Sequence, residues 1–292
     1  MEQLLGQFSF ALLNGFVWGW ILALLALGLS LIYANLKWLN LAHGAFYMLG
    51  GMLVWKLQDS LGFWLALPIS VLAAGAFGVI SEWLIFRPIH DPKRLLLAAI
   101  GLMLALQELA AIAFGRTPQS VINPLPGAIG FLDKQFPVYW LVVAASAALV
   151  LTALWIFLRR TRPGLWMRAV GQERELALSL GIPVPLVYTA TFGLGTALAA
   201  LAGGLIAPII GVHPYMGLEI LVLALVVVII GRSPWGSVGI ALLISELENL
   251  LPVVTQALTG EAISPTLARV SILTLLLGIL LVRARNPETS QS

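Results

Sequence analysis

Long apolar runs alternate with short polar stretches along this 292-residue chain. A helix needs roughly 20 mostly apolar residues to cross the hydrocarbon core of a bilayer. By this measure the pattern predicts nine spans, near residues 10–34, 41–56, 61–86, 95–114, 138–158, 184–209, 217–231, 236–253 and 267–283. We therefore expect an all-α polytopic membrane protein, a single transmembrane domain over residues 1–292 with about nine helices, eight to ten.

Two of these segments, 41–56 and 217–231, are too short to cross the bilayer comfortably, and Gly, Pro, His and Asn flank them. Glycine and proline at such places interrupt regular helices. The pattern predicts that both segments are broken or partly re-entrant, and it leaves open whether they cross fully.

The interval 164–181 is a polar stretch with helical character in an otherwise apolar chain. At helical spacing one stripe is polar and the opposite stripe is apolar, which predicts an amphipathic helix. The polar stripe holds Arg168, Gln172, Glu175 and Ser179, and the apolar stripe holds Trp166, Ala169, Val170, Leu176, Ala177 and Leu180. Gly181 and the proline after it predict the end of this helix. It either lies on lipid headgroups or docks a cytoplasmic partner.

Charged residues make up 10% of the chain and hydrophobic residues 60%, far from the composition of soluble domains. The first residues carry an acid and no base before the first apolar run, so they lack the basic region of a cleaved signal peptide and should be retained. We expect the sequence pI of 9.4 to reflect arginines beside membrane spans and not nucleic-acid binding.

Lysine and arginine gather in three places: 87–94, 159–174 and the tail at Arg283 and Arg285. Nine spans put all three on the same side of the membrane, and positively charged loops stay cytoplasmic. The predicted topology therefore has an external N-terminus, a cytoplasmic C-terminus and an external loop over 115–137.

Templates for enzymes are missing from the sequence. It contains no GxxxxGK[ST] phosphate loop, no HExxH pair and no GxSxG elbow, and its three histidines show no metal-binding spacing. Cysteine is also absent, which removes disulfides and thiolate sites. We expect a protein that is not an enzyme, with no metal site and no cofactor of its own.

A short repeat links the two halves, because ISEWL at 80–84 is echoed by ISELE at 244–248. If spans one to four and six to nine were copies, the offset of five spans would invert the second copy. Inverted repeats are common in transporters, where the pathway lies at their interface. This hypothesis leaves the fifth span and the polar helix as the connection between two four-helix repeats.

Asn40, His43 and Tyr47 recur at intervals of three and four residues, so a helix would carry all three on one face. Polar groups at membrane depth are costly and need a reason. They would line a substrate path or gate; alternatively, Asn40 caps a helix and His43 binds a nearby carbonyl.

Four further polar residues fall in the predicted outer half of the bundle. They are Gln107, Glu108, Glu219 and Glu246. We predict that they line the path on its outward side, with the alternative that they only face water at helix ends. If one of them were a buried proton or sodium coupler, the protein would be an ion-coupled secondary transporter.

Four blocks of the chain resemble a known family. They span residues 12–51, 80–88, 100–109 and 161–212, and the NLAHG and RAVGQERELALSLGI motifs within them are the most specific parts. Together they are similar to the LivH-type permease of branched-chain amino acid (hydrophobic amino acid/amide uptake) ABC importers, and the likeness runs over nearly the whole chain.

This resemblance implies a transport subunit of a bacterial or archaeal plasma (inner) membrane. It implies a LivM-type permease or a second copy as partner, two ABC ATPase subunits that bind ATP and Mg, and an extracytoplasmic substrate-binding protein. It further implies that 164–181 is the coupling helix that docks on an ATPase. The residues implied for that contact are Trp166, Arg168, Gln172, Glu173, Arg174, Glu175 and Gly181.

Three positions depart from the family pattern: Ala45 stands where Glu is frequent, Trp20 where a small residue is frequent, and Leu223 where Lys is frequent. A larger, less charged lining suits an apolar ligand. Branched-chain or hydrophobic amino acids are the expected solute; urea, short amides and other small carboxylates are the alternatives, because related permeases carry them.

Overall fold

The computed structural model describes residues 2–131 and 134–285, and most of them are helical. The helices are α1 (Glu2–Leu36), α2 (His43–Leu61), α3 (Phe63–Ser81), α4 (Pro92–Phe114), α5 (Val138–Arg160), α6 (Arg162–Gln172), α7 (Arg174–Ser179), α8 (Val184–Ile210), α9 (Met216–Gly231), α10 (Pro234–Thr259) and α11 (Pro265–Arg285). The last seven residues of the predicted cytoplasmic tail, 286–292, lie outside the described part of the chain.

Each of the nine apolar segments contains a helix of its own. Among the described residues, 6 helices are long and apolar enough to cross a membrane: Gly6–Leu36, Phe63–Phe86, Pro92–Phe114, Val138–Arg160, Val184–Ile210 and Pro234–Thr259. The protein is therefore a polytopic, predominantly α-helical membrane protein, as the apolar pattern predicts.

The segments 41–56 and 217–231 differ from their prediction, because α2 and α9 are continuous helices without an internal break. The irregular backbone lies before them instead, at 37–42 and 211–215. At 1.5 Å per residue, the 16 residues of α9 span about 24 Å, less than the roughly 30 Å of a bilayer core.

Helix α1 forms the centre of the bundle. It packs along α10 and α8 and also contacts α5 and α9, while α3 packs along the other flank of α8. In the apolar stretch of α1, 83% of the residues are buried, compared with 17% in that of α10. Helix α10 is therefore far less enclosed by the described residues than α1.

Glycines allow the central helices to touch backbone to backbone. A Cβ atom on Gly28 of α1 would lie 2.6 Å from the carbonyl oxygen of Gly195 on α8, and a Cβ on Gly195 would lie 2.8 Å from that of Gly28. Close packing of this kind drives helix association in lipid, where no hydrophobic effect operates between helices.

The loop 115–137, predicted to be external, contains a short hairpin that the sequence pattern did not predict. Strands β1 (Ala128–Phe131) and β2 (Lys134–Pro137) pair antiparallel, with Ala128 opposite Pro137. The loop is fastened to the bundle by Gln119, which exchanges two backbone hydrogen bonds of 2.8 Å with Val212, and by the Ile122 N–H, which donates to Gln58 Oε1 at 3.0 Å.

A π-helical turn, Glu82–Phe86, ends the third apolar segment. The wider turn brings Arg87 back to Glu82, and their side chains form an ion pair of 2.8 Å in which the Glu82 side chain is buried. The Thr189 hydroxyl of α8 donates to the same carboxylate at 2.8 Å. This cluster joins the ends of α3 and α8.

Candidate functional site

The polar interval 164–181 forms two helices, so the prediction of one continuous helix is wrong. Helix α6 begins at Arg162, where the Thr161 hydroxyl accepts a hydrogen bond of 3.2 Å from the Gly164 N–H and Pro163 occupies the first turn. It ends at Gln172; the backbone of Glu173 is extended (φ −146°, ψ 101°), and α7 begins at the next residue.

A tertiary contact stabilises the break. The Lys37 ammonium, at the end of α1, donates to the Gly171 carbonyl at 2.8 Å. In a continuous helix that carbonyl would accept the N–H four residues later. The lysine contact satisfies it from outside, which no local pattern in the sequence could reveal.

Gly181 ends α7 as the sequence predicts. Its φ of 76° is the left-handed conformation that glycine adopts most readily. The Gly181 N–H donates to the Leu178 carbonyl at 3.0 Å and the Ile182 N–H donates to the Ala177 carbonyl at 3.0 Å, which is the Schellman arrangement.

The surface of α6 and α7 mixes charges and leucines. Met167, Val170 and Ala177 are buried, and Trp166 is half-buried against the bundle. The exposed residues include Arg168, Gln172, Glu173, Arg174 and Glu175. The apolar stripe assigned Leu176 and Leu180 to the packed side, but they are 59% and 70% exposed. The break at Glu173 changes which side of the second helix faces the bundle, and Ala177 is the buried residue of α7.

Several of the predicted coupling residues reach the rest of the bundle. Arg168 and Gln172 line a cavity of about 420 Å³ together with the ends of α1, α9 and α10 that lie near α6. Arg174 lies beside Tyr188 of α8, one residue from the Thr189 that binds Glu82. Helices α6 and α7 thus contact α1 and α8, the two central helices.

Asn40 and His43 are fully buried where α1, α2 and α8 meet. Asn40 Oδ1 accepts a hydrogen bond of 3.1 Å from the Ala42 N–H, so it forms a turn before α2 and does not cap the helix itself. His43 Nε2 lies 3.1 Å from the Leu25 carbonyl oxygen of α1. The His43 contact matches the alternative of a carbonyl-bound histidine, and a role in a path stays a prediction.

Tyr47 is also buried, and it lies near enough to Glu219 of α9 to interact with it electrostatically, although Glu219 itself is exposed. A second group forms at the end of α4. Gln107 is buried there, and Glu108 binds Arg116 at 2.8 Å and accepts a hydrogen bond of 3.2 Å from the Tyr215 hydroxyl.

Glu246 stands apart from both groups, half-buried in the middle of α10 and facing α1. A Cβ atom on Gly15 would lie 2.6 Å from its Oε2. The seven residues predicted for the path are therefore not gathered in one place, and the structure leaves their role in transport as a prediction.

Sequence reasoning missed Asn14 and Arg269. Asn14 Nδ2 donates to Asn249 Oδ1 at 2.7 Å, and Arg269 Nε donates to Glu248 Oε1 at 3.1 Å. The partner of Asn14 is far away in the sequence, so spacing could not reveal this pair. Arg269 is a lone arginine near the start of the last apolar segment, and a charge at that depth indicates a functional site with a partner. Within the described residues, no group of three or more His, Asp or Glu could hold a metal ion.

Comparison with known proteins connects these features to a family. The family model described as "Branched-chain amino acid transport system / permease component" matches residues 11–282. The high-affinity branched-chain amino acid transport system permease protein LivH of Escherichia coli (strain K12) is 30% identical over 238 residues, which cover 74% of this chain and 76% of that protein.

Two other comparisons are more distant. The permease protein BraD of Pseudomonas aeruginosa is 29% identical over 224 residues, covering 70% of this chain and 73% of BraD. Among solved structures, PsaBC from Streptococcus pneumoniae in complex with Fab matches 92% of this chain and 89% of the other with 13% identity and a TM-score of 0.49.

Proposed function

Since the chain belongs to the family of permease components of branched-chain amino acid transport systems, we propose that it is the transmembrane permease subunit of an ATP-driven ABC importer. Its transported solutes are branched-chain or other hydrophobic amino acids. The observation that carries this proposal is the surface of α6 and α7, where exposed leucines stand among exposed charges on helices fastened to α1 and α8.

An exposed apolar group among charges is typical of a protein interface. A helix lying on lipid headgroups would turn its leucines and its charges to opposite sides. Leu176 and Leu178 instead share the short exposed helix α7 with Arg174 and Glu175. We infer that this surface docks on a cytoplasmic ATPase.

Four partners complete the proposed transporter. Two ABC ATPases bind ATP and Mg, and an extracytoplasmic binding protein delivers the solute. The fourth is a LivM-type permease or a second copy of this chain. It would cover α10, whose apolar stretch is only 17% buried.

Nine crossings, an external N-terminus and a cytoplasmic C-terminus complete the proposed topology. The arginines of 159–174 support this orientation because basic segments stay cytoplasmic. Two inverted four-helix repeats fit the packing: α1 lies along α10 as α3 lies along α8, and Gly28 meets Gly195 where α1 and α8 cross.

The docking surface is tested by purifying the chain together with candidate ABC ATPases from the same organism. Replacing Arg168→Glu and Glu175→Arg together should weaken assembly at least tenfold, since like charges at a docking surface repel. Lys56→Glu, an exposed charge on α2, is the matched control and should leave assembly unchanged.

Unchanged assembly of the α6–α7 variant would contradict the docking role. Uptake in vesicles by this chain without any ATPase, driven by an ion gradient, would favour a secondary transporter instead. Competition between leucine, urea, a short amide and a small carboxylate during uptake identifies the solute class.

A further inference from the structure

A cavity of about 260 Å³ lies between α1, α9, α10 and α11. Its size is slightly below the roughly 300–1,000 Å³ of common ligand sites, which suits a small solute. Ten residues line it: Asn14, Trp18, Leu22, Ile220, Leu223, Ser245, Glu248, Asn249, Pro265 and Arg269.

One side of this cavity is charged and polar. Glu248 and Arg269 form an ion pair of 3.1 Å, with the Glu248 side chain 11% exposed and the Arg269 side chain 47% exposed. Asn14 donates to Asn249 at 2.7 Å, and its own Oδ1 is buried without a hydrogen-bond partner among the described residues. Charged groups within apolar helices are costly and mark sites of solute or ion passage more often than structural ones.

The other side is apolar. Trp18 and Leu22 of α1 face the cavity together with Ile220 and Leu223 of α9. A few polar groups placed opposite an apolar wall are typical of a site that orients an amphipathic ligand.

We propose that this cavity binds an α-amino acid zwitterion with an apolar side chain. Arg269 Nε is engaged with Glu248, so the terminal amino groups of its guanidinium meet the carboxylate of the solute. Glu248 and Asn14 Oδ1 accept hydrogen bonds from the ammonium group of the solute. The apolar side chain of the solute packs against Trp18 and Leu223. The assignment rests on the proposed function and selects among its solutes, because urea carries no charge and a simple carboxylate has nothing to offer Glu248.

The position of the cavity fits this role. With the proposed orientation it lies in the outer half of the bundle, and α1, α9 and α10 also border the cavity of about 420 Å³ beside α6. Along α1, Leu22 lines the first cavity and Ser30 the second, a separation of about 12 Å at 1.5 Å per residue. Buried residues of α1, among them Leu25 and Ala26, fill the interval. The two cavities are therefore separate, and both are bordered by α1, α9 and α10.

The test uses the assembled permease–ATPase complex in nanodiscs without the binding protein, and measures equilibrium binding of radiolabelled leucine with leucinamide as competitor. Wild type should prefer leucine, because leucinamide lacks the carboxylate. Arg269→Gln should reduce leucine affinity at least tenfold and remove this preference. Glu248→Gln should reduce affinity for both ligands. Lys56→Gln removes an exposed charge on α2 outside the cavity and should change neither.

Two further variants separate binding from folding. Leu223→Phe keeps both charges and fills the apolar side, so it should reduce leucine affinity more than alanine affinity in complexes that assemble normally. In the double variant Glu248→Arg with Arg269→Glu the ion pair is kept with its polarity reversed, and leucine affinity should remain low.

Three results would overturn the assignment: absence of saturable leucine binding by wild type, an Arg269→Gln variant that still prefers leucine to leucinamide, or full recovery of affinity in the charge-reversed double variant. Failure of the proposed function is recognised separately, as absence of ATP-driven uptake by the wild-type complex supplied with its binding protein.

Discussion

Gly44 of α2 and Gly217 of α9 meet backbone to backbone. A Cβ atom on either residue would lie closer than 3.0 Å to the carbonyl oxygen of the other, a distance that real Cβ atoms essentially never show. Both glycines lie in the first turn of a short helix that follows an irregular stretch. Their contact sets how closely the two short helices cross.

We expect Gly44→Ala and Gly217→Ala each to destabilise the protein by about 1–3 kcal/mol, since backbone cannot yield as a side chain would. The measurement is thermal unfolding of the detergent-solubilised protein. Gly101→Ala on α4 is the control: nothing lies within 4 Å of its Cβ, so it should be neutral or gain about 0.5–1 kcal/mol of helix stability. Equal effects at all three positions would contradict a specific crossing.

The buried Glu82 carboxylate depends on Arg87 and Thr189. Arg87→Gln removes the guanidinium and leaves the carboxylate without its counter-charge, so we expect a loss of about 1–3 kcal/mol; partial exposure of Arg87 keeps the loss below that of a fully buried pair. Arg94→Gln breaks the exposed Arg94–Asp91 pair of 3.7 Å and should cost well under ~1 kcal/mol.

A double-mutant cycle with Thr189→Val measures the coupling within the same cluster. Because Thr189 and Arg87 bind the same carboxylate, their effects should not add. Additive losses from Arg87→Gln and Thr189→Val would mean that the two contacts act independently.

The proposed orientation can be checked directly because the chain contains no cysteine. Leu176 of α7 and Ile122 of the loop 115–137 are 59% and 69% exposed, so single cysteines there should react with a maleimide. A membrane-impermeant reagent added to whole cells should label Ile122→Cys and spare Leu176→Cys until the membrane is opened. The reverse pattern would invert the topology and remove the docking role of α7.

A substitution of His43 tests whether this side chain serves to pack the bundle or lines the transport path. Its ring fills the space beside Gly28 and binds the Leu25 carbonyl, so we expect His43→Ala to reduce the folded yield through a cavity worth about 2–4 kcal/mol. Uptake per folded complex, measured after size-exclusion chromatography, should stay within about twofold of wild type on the packing interpretation. A loss of uptake at full yield would favour the predicted place on the path.

Apolar length was sufficient to locate the 6 helices that are long and apolar enough to cross a membrane among the described residues, because the cost of burying polar backbone in lipid leaves few alternatives to helix. Boundaries depended on contacts that local pattern does not contain. The Lys37 ammonium reaches Gly171 from 134 residues away and binds at the end of α6, just before the break to α7. Gly181, in contrast, was predicted correctly because its chain reversal is encoded by its immediate neighbours.

The polar residues show the same division. Spacing predicted Asn40, His43 and Tyr47 on one face of a helix; all three are buried, but Asn40 lies in the turn before α2 and not on the helix. Spacing could not pair Asn14 with Asn249 across 235 residues, nor bring Arg269 to Glu248 from the next helix. Such pairs are created by the packing of α1, α10 and α11, which the sequence alone did not specify.

Only Thr161 separates α5 from α6, and only Glu173 separates α6 from α7. Neither connection contains a flexible loop, and Gly164 packs closely against the last turn of α5. A displacement of α7 would therefore be transmitted through α6 to the long helix α5 and not absorbed by a flexible loop. On the proposed docking role, the movement that an ATPase could impose at α7 is then limited by these two single-residue connections.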